Sequence, residues 1–394
     1  MSDVFLTGIG QLTTNTGAPI PDAVVAVESG IVTYAGPAAD APDQTGERHE
    51  CGGMAVIPGF VDAHTHLVFA GDRSDEFARR LAGESYADLA AAGGGILATV
   101  AATRGAGADE LFRLAAGRVW RMIRTGTTTV EIKSGYGLDL DSERRLLEVA
   151  RRVGEELPVT VRATFLGAHS VPPEYRNDRD GYVDLLVEEM LPAVADLADY
   201  CDVFVEDGAF DVAEARRIFA RGSSLGLGAR VHAEQLGHAG GARLAAEIGA
   251  DSADHLDHAD EDDARALAAA DVTAVLVPGA SYTLRSRQAP GEMLLEAGCN
   301  VALATDCNPG TSYFESMAPI LSLAVVQMGL TVDQAIAAAT LGGARSLGFD
   351  DRGFIAPGAV ADLVIIDAPT AGHLAYRPGA NLVHRTFKEG LPVG

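Results

Sequence analysis

With 394 residues, 47% of them hydrophobic and 22% charged, the chain is long enough to bury a large core and has the balance of a soluble globular protein. Its formal charge of −25 is spread along the sequence, which argues against a nucleic-acid partner. No apolar run approaches the ~20 residues that cross a bilayer, no basic leader with an apolar core opens the chain, and the four cysteines form no CxxC pair, so reduced thiols in a cytoplasm and no membrane partner are expected.

Residues 4–56 read as short strands broken by Gly, Pro and Asn (VFLTGIGQL, AVVAVESGIVTYAG, GGMAVIPG), the texture of a small antiparallel β module. From residue 60 apolar strands alternate with amphipathic helices. Strands are expected over 60–64, 127–132, 159–166, 201–205, 229–232, 251–254, 273–277 and 300–304. Helices are expected between them, among others over 141–155, 182–197, 212–225 and 260–269. Residues 74–106, broken at Gly93-Gly-Gly95, read as an insertion after the first strand. The stretch GFIAPGAVADLVIID (353–367) returns to strand, turn, strand. The two chain ends are therefore expected to build one β-sandwich, residues 1–57 with 353–394, around a domain at 58–352. Eight short strands, apolar on both faces and separated by helices, predict the α/β class and a (β/α)8 TIM barrel. A doubly wound sheet is the rival, and the absence of GxGxxG after the first strand counts against it.

In such a barrel, chemistry sits at the C-terminal strand ends. His64 and His66, in PGFVDAHTHLVFAGDR (58–73), follow the first strand and share a face because strand side chains alternate. His232 follows the fifth strand, His255 the sixth and Asp306 the eighth. One histidine at a strand end is ordinarily a structural hydrogen-bonding residue. Four at matching ends, with an aspartate, are what a catalytic Zn2+ or similar borderline ion requires.

This arrangement resembles the amidohydrolase superfamily of metal-dependent hydrolases over the whole chain. VEIKSGYGL (130–138), LGAH (166–169), VPPEY (171–175), HAEQ (232–235), SADH (252–255), TDCNPGT (305–311) and AGGGI (92–96) resemble, more narrowly, the imidazolonepropionase family. That resemblance implies hydrolytic opening of the ring of 4-imidazolone-5-propanoate to N-formimidoyl-L-glutamate in histidine degradation. It also implies one metal ion per subunit, Zn2+ or Fe, and a homodimer. A deaminase or cyclic-amide hydrolase acting on another small anionic heterocycle is the alternative. A non-catalytic scaffold would have lost ligands that are all present here.

By the same resemblance the metal ligands are His64, His66, His232 and Asp306, and Asp306 also accepts the proton of the attacking water. His255 takes a catalytic role without ligation; a fifth metal ligand or a structural bond to Asp254 is its other reading. Arg73 is expected to hold the propionate tail through paired hydrogen bonds. Tyr136, His169, Gln235, Asn308, Gly310 and Thr311 are expected to contact substrate. Some relatives carry a glutamate three residues after the strand-five histidine. Here that position is Gln235, and the neighbouring acid, Glu234, is read either as a proton shuttle or as an orienting partner of a ligating histidine. Lys133 and Glu206 stand near strand ends, where two-metal relatives place bridging groups, although an ion pair is the simpler reading of Lys133. A thiolate at Cys307 is disfavoured by side-chain alternation about Asp306.

Overall fold

The computed structural model describes residues 3–43, 46–84 and 94–394. Its centre is a parallel sheet of eight strands in sequential order: Phe60–Asp62, Thr127–Lys133, Thr160–Ala168, Tyr200–Val205, Gly228–Ala233, Ser252–His255, Thr273–Leu276 and Val301–Leu303. Adjacent strands pair in parallel, as right-handed βα units require. The sheet curls until its edges meet. Beyond the strands proper, Thr65 and Cys307 form a parallel bridge. The Asp306 amide donates to the His64 carbonyl at 2.9 Å and the His66 amide to that of Cys307 at 3.0 Å. Below this, Asp62 accepts from the Thr305 amide (2.9 Å) and hydroxyl (2.6 Å). The two polar motifs HTH and TDCN therefore form the seam that closes the barrel.

Helices cover the outside. Leu140–Glu156 starts at Asp139, whose carboxylate accepts from the Ser142 amide and so satisfies an orphan donor of the first turn. The helix expected over 182–197 is instead three pieces, Arg179–Leu185, a π turn at Leu186–Met190, and Leu191–Val194. Pro192 has no N–H to continue the ladder, which accounts for the irregular turn before it. After the first strand come helices Ser74–Leu81 and Ile96–Gly105, followed by Ala108–Ile123. Part of the Gly93-Gly-Gly95 break and of the AGGGI segment lies outside the described residues.

The two chain ends share one β unit, but hydrogen bonding makes it a single mixed sheet. Its order is Leu391–Val393, Val383–Lys388, Leu363–Ile366, Ala55–Pro58, Val4–Leu12, Ile20–Glu28 and Ile31–Pro37. A register shift between Leu6 and Ile9, where Gly8 has φ 63°, divides Val4–Leu12 into two halves. The first half pairs with Glu47–Glu50 and the second with Ala55–Pro58. Alternation then assigns the faces: Val56, Leu363 and Ile365 enter the sheet's own core, while Ala55, Ile57, Val364 and Ile366 pack into the barrel's. The four cysteines are free and buried. No helix among the described residues is long and apolar enough to cross a membrane.

Candidate active site

At the C-terminal ends of the strands five buried side chains converge. His64, His66 and Asp306 offer ligand atoms within 4.8 Å of one another, and so do His64, His232 and His255. His64 Nε2 lies 3.5 Å and His66 Nε2 3.6 Å from Asp306 Oδ1. The ring centroids of His64 and His232 are 4.5 Å apart. The chain bends sharply where these residues leave their strands: His255 has φ 79° and Asp306 φ 50°. Left-handed backbone at non-glycine residues costs of order 1 kcal/mol or more and is held here by the seam and the surrounding packing.

Two histidines are held from behind by carboxylates. His64 Nδ1 donates to Asp254 Oδ2 at 2.6 Å, and His232 Nδ1 donates to Asp202 at 3.0 Å. Their Nε2 atoms are thereby left as the free lone pairs. Burial holds His64, His66 and His232 well below the ordinary histidine range, so the rings are neutral and able to ligate. His64 Nε2, His66 Nδ1 and His255 Nδ1 are buried without any hydrogen-bond partner. The orphaned His64 Nε2 and the neutral His66 Nε2 face the Asp306 carboxylate, a donor set that fits a borderline divalent ion, and His64, His66, His232 and Asp306 could hold one.

Beside this cluster lies a cavity of about 540 Å³, lined among others by Arg73, Tyr136, His169, Gln235, Asn308 and Thr311. Its walls are set by local chemistry. The buried Glu143 carboxylate, on the helix Leu140–Glu156, accepts from the amides of Gly135 (2.9 Å), Gly137 (2.7 Å) and Leu138 (2.8 Å). This fixes the loop that carries Tyr136, whose ring stands 5.4 Å from His169 and 5.7 Å from His66. His169 in turn stacks on His66 at 5.1 Å, and burial pushes its pKa down to about 4. Burial raises the Tyr136 phenol, so it stays protonated. Arg73 is half-buried and forked by Glu76: its Nε donates to Oε2 at 3.0 Å and its Nη2 to Oε1. The Asn308 side chain organises its own loop. It donates to the Asp306 carbonyl (2.7 Å) and accepts from the Gly310 and Thr311 amides (both 2.8 Å).

Glu234 goes elsewhere. Its φ of 54° turns the side chain away from the cavity, and its carboxylate accepts from the amides of Ala239 (2.6 Å), Gly240 (3.0 Å) and Ala242 (3.1 Å). Among the described residues it does not line the cavity, and Asp202 is the carboxylate on His232 Nδ1, so the contacts of Glu234 are those of a loop brace. Gln235 is the member of the pair that reaches the cavity. Glu206 is a second brace, accepting from the Leu236 amide at 2.8 Å. Lys133 lies in a buried ion cluster, 2.7 Å from both Glu131 and Asp202. Burial pushes the Cys307 thiol up, away from the thiolate form.

Sequence reasoning passed over Asp202, Arg230, Glu131, Glu143 and Glu76. The signal for the first three was present: a charge inside a strand that is otherwise buried on both faces needs a partner.

A parallel barrel with histidines and an aspartate at its C-terminal mouth, flanked by a sheet from both chain ends, is the architecture of metal-dependent hydrolases. Residues 55–393 match the Amidohydrolase family, and the chain belongs to it. Solved structures share the fold at low identity. One is an adenosine deaminase from Xanthomonas campestris with bound zinc (TM-score 0.71, 22% identity, 99% of this chain and 92% of that one). Another is a guanine deaminase from C. acetobutylicum (TM-score 0.73, 15% identity, 100% of both chains). Within the family the chain is an imidazolonepropionase family member. It is 48% identical to the imidazolonepropionase of Salinispora tropica over 100% of this chain and 99% of that protein. It is 46% identical to that of Symbiobacterium thermophilum over 98% and 96%.

Proposed function

We propose that the protein hydrolyses the ring amide C–N bond of 4-imidazolone-5-propanoate, giving N-formimidoyl-L-glutamate in histidine degradation. One observation carries the site: neutral, buried imidazoles and one carboxylate converge beside a cavity whose wall bears Arg73. We assign His64, His66, His232 and Asp306 as ligands of a single Zn2+ or Fe ion. Bound there, the ion supplies Lewis acidity that makes water more acidic and polarises the ring carbonyl.

The side chains divide the remaining work. Asp306 takes the proton that water loses as its oxygen bonds to the ring carbonyl carbon. The C–N bond then breaks, and the proton on Asp306 is available to the departing nitrogen. Burial pushes the His255 pKa down to about 4. Its neutral ring offers an N–H to the oxygen on which charge develops. Arg73 holds the propionate, and Glu76, already on its Nε and Nη2 edge, orients the guanidinium while leaving Nη1 for the tail. Tyr136, His169 and Gln235 pack and hydrogen-bond the ring, and the loop 308–311 closes the tail end. A cytoplasmic homodimer completes the proposal, supported by the unpaired cysteines for the compartment and by resemblance for the dimer.

Purified protein of known metal content, given freshly prepared 4-imidazolone-5-propanoate, should release N-formimidoyl-L-glutamate. The activity should vanish on chelation and return with metal. No product from a folded, fully metallated sample would reject the ring specificity and move the search to other cyclic amides and amidines.

A further inference from the structure

Beneath the histidines the barrel interior is charged, although such interiors are filled mainly by branched apolar side chains. Glu131 and Lys133 from the second strand, Asp202 from the fourth, Arg230 from the fifth and Asp254 from the sixth are all 0% exposed. Lys133 Nζ donates to Glu131 Oε1 and Asp202 Oδ2, both at 2.7 Å, and lies 3.3 Å from Asp254 Oδ2. The same two aspartates hold the Nδ1 atoms of His232 and His64. Two metal-facing rings from different strands thus hang, through one carboxylate each, on a single ammonium.

Arg230 is used differently. Its guanidinium donates to the backbone carbonyls of Ser346 (2.8 Å) and Ala63 (2.9 Å) and supports the chain just before His64. Among the described residues only Lys133 joins the two carboxylates. Apolar side chains in place of the whole cluster would avoid the cost of desolvating its charges, so stability alone does not account for the cluster.

We infer that Lys133 is a positioning residue of the metal centre: it locks Asp202 and Asp254 to each other, and through them the directions in which His232 and His64 present Nε2. Three buried carboxylates (Glu131, Asp202, Asp254) share two buried cations (Lys133, Arg230) beneath the site. The inference rests on the metal site proposed above and extends it from the ligands to what aims them.

The test uses metal-free full-length protein, with Zn2+ affinity measured by competition against a chromogenic chelator and the visible spectrum recorded after Co2+ loading. Two variants are compared with wild type: Lys133→Met, and Lys133→Met with Glu131→Gln, which keeps the charge of the layer. Both should bind Zn2+ about 10–100-fold more weakly and show shifted Co2+ bands, while the far-ultraviolet circular dichroism is that of wild type. Folded variants with wild-type Zn2+ affinity and an unchanged Co2+ spectrum overturn the role of Lys133. Should neither variant fold, Asp202→Asn and Asp254→Asn must each weaken Zn2+ binding and shift the Co2+ bands; wild-type behaviour of both overturns it equally. A wild-type protein that takes up neither ion sinks the metal site itself, a distinct failure.

Discussion

A Cβ on Gly310 would lie 2.3 Å from Arg73 Nη1, a distance no real side chain tolerates. A side chain at this position would therefore require the guanidinium, the mobile end of Arg73, to shift. Gly310→Ala should push the guanidinium aside and raise KM for the substrate by about 10-fold or more, with metal content unchanged. Arg73→Met should do the same without the steric clash. Wild-type KM in both variants would remove Arg73 from the tail site. At this scale the sequence was read unevenly. His64, His66, His232, His255 and Asp306 were legible because strand alternation and strand ends fix where they point. Gln235 was expected at the cavity and lines it, but the place of Glu234 was not legible. A left-handed bend at residue 234 decides which of the two faces the cavity, and three amides at 239–242 make that bend favourable for the acid.

The loop 134–138 shows how one element shapes another. Its amides converge on a carboxylate one turn into the following helix, so Tyr136 is placed by Glu143 and not by its own backbone preferences. Glu143→Ala would leave buried N–H groups unpaired, each costing about 1–3 kcal/mol. It should lower Tm clearly and raise KM, because Tyr136 loses its support. Glu143→Gln keeps one acceptor oxygen and should fall between the alanine variant and wild type. An alanine variant with wild-type Tm and KM would show that the loop holds itself. The barrel elements themselves were largely legible: each of the eight strands lies within a few residues of its expected place. Misread details have local causes, such as Pro192 in the helix expected over 182–197.

At the scale of the whole molecule, stability should carry a signature of Asp257. This aspartate is buried, accepts from the Ser281 hydroxyl at 2.7 Å and has its other oxygen unpartnered. Burial pushes its pKa up to about 7 from an ordinary value of 3.8. Between those values the folded state keeps a proton that the unfolded chain releases. Its contribution to stability is full at lower pH and is lost as the pH rises through about 7. Asp257→Asn removes this dependence. Its Tm relative to wild type should increase from pH 5 to pH 8 by about 2 °C or more. A difference that stays constant with pH would show that Asp257 is charged in the folded protein.

Sequence alone determined the barrel, the shared β unit of the two chain ends, and which histidines and aspartate gather at the barrel mouth. Hydrophobic periodicity and strand alternation are local properties, and they also fix which strand end each histidine occupies. Only the tertiary structure decided what surrounds those residues. The pairing of Lys133 with Asp202 and Asp254, the seam between HTH and TDCN, and the capture of Glu234 by a neighbouring loop join positions far apart in the chain or depend on a single backbone angle. A buried charge announces that it needs a partner; which partner it finds depends on how the barrel closes.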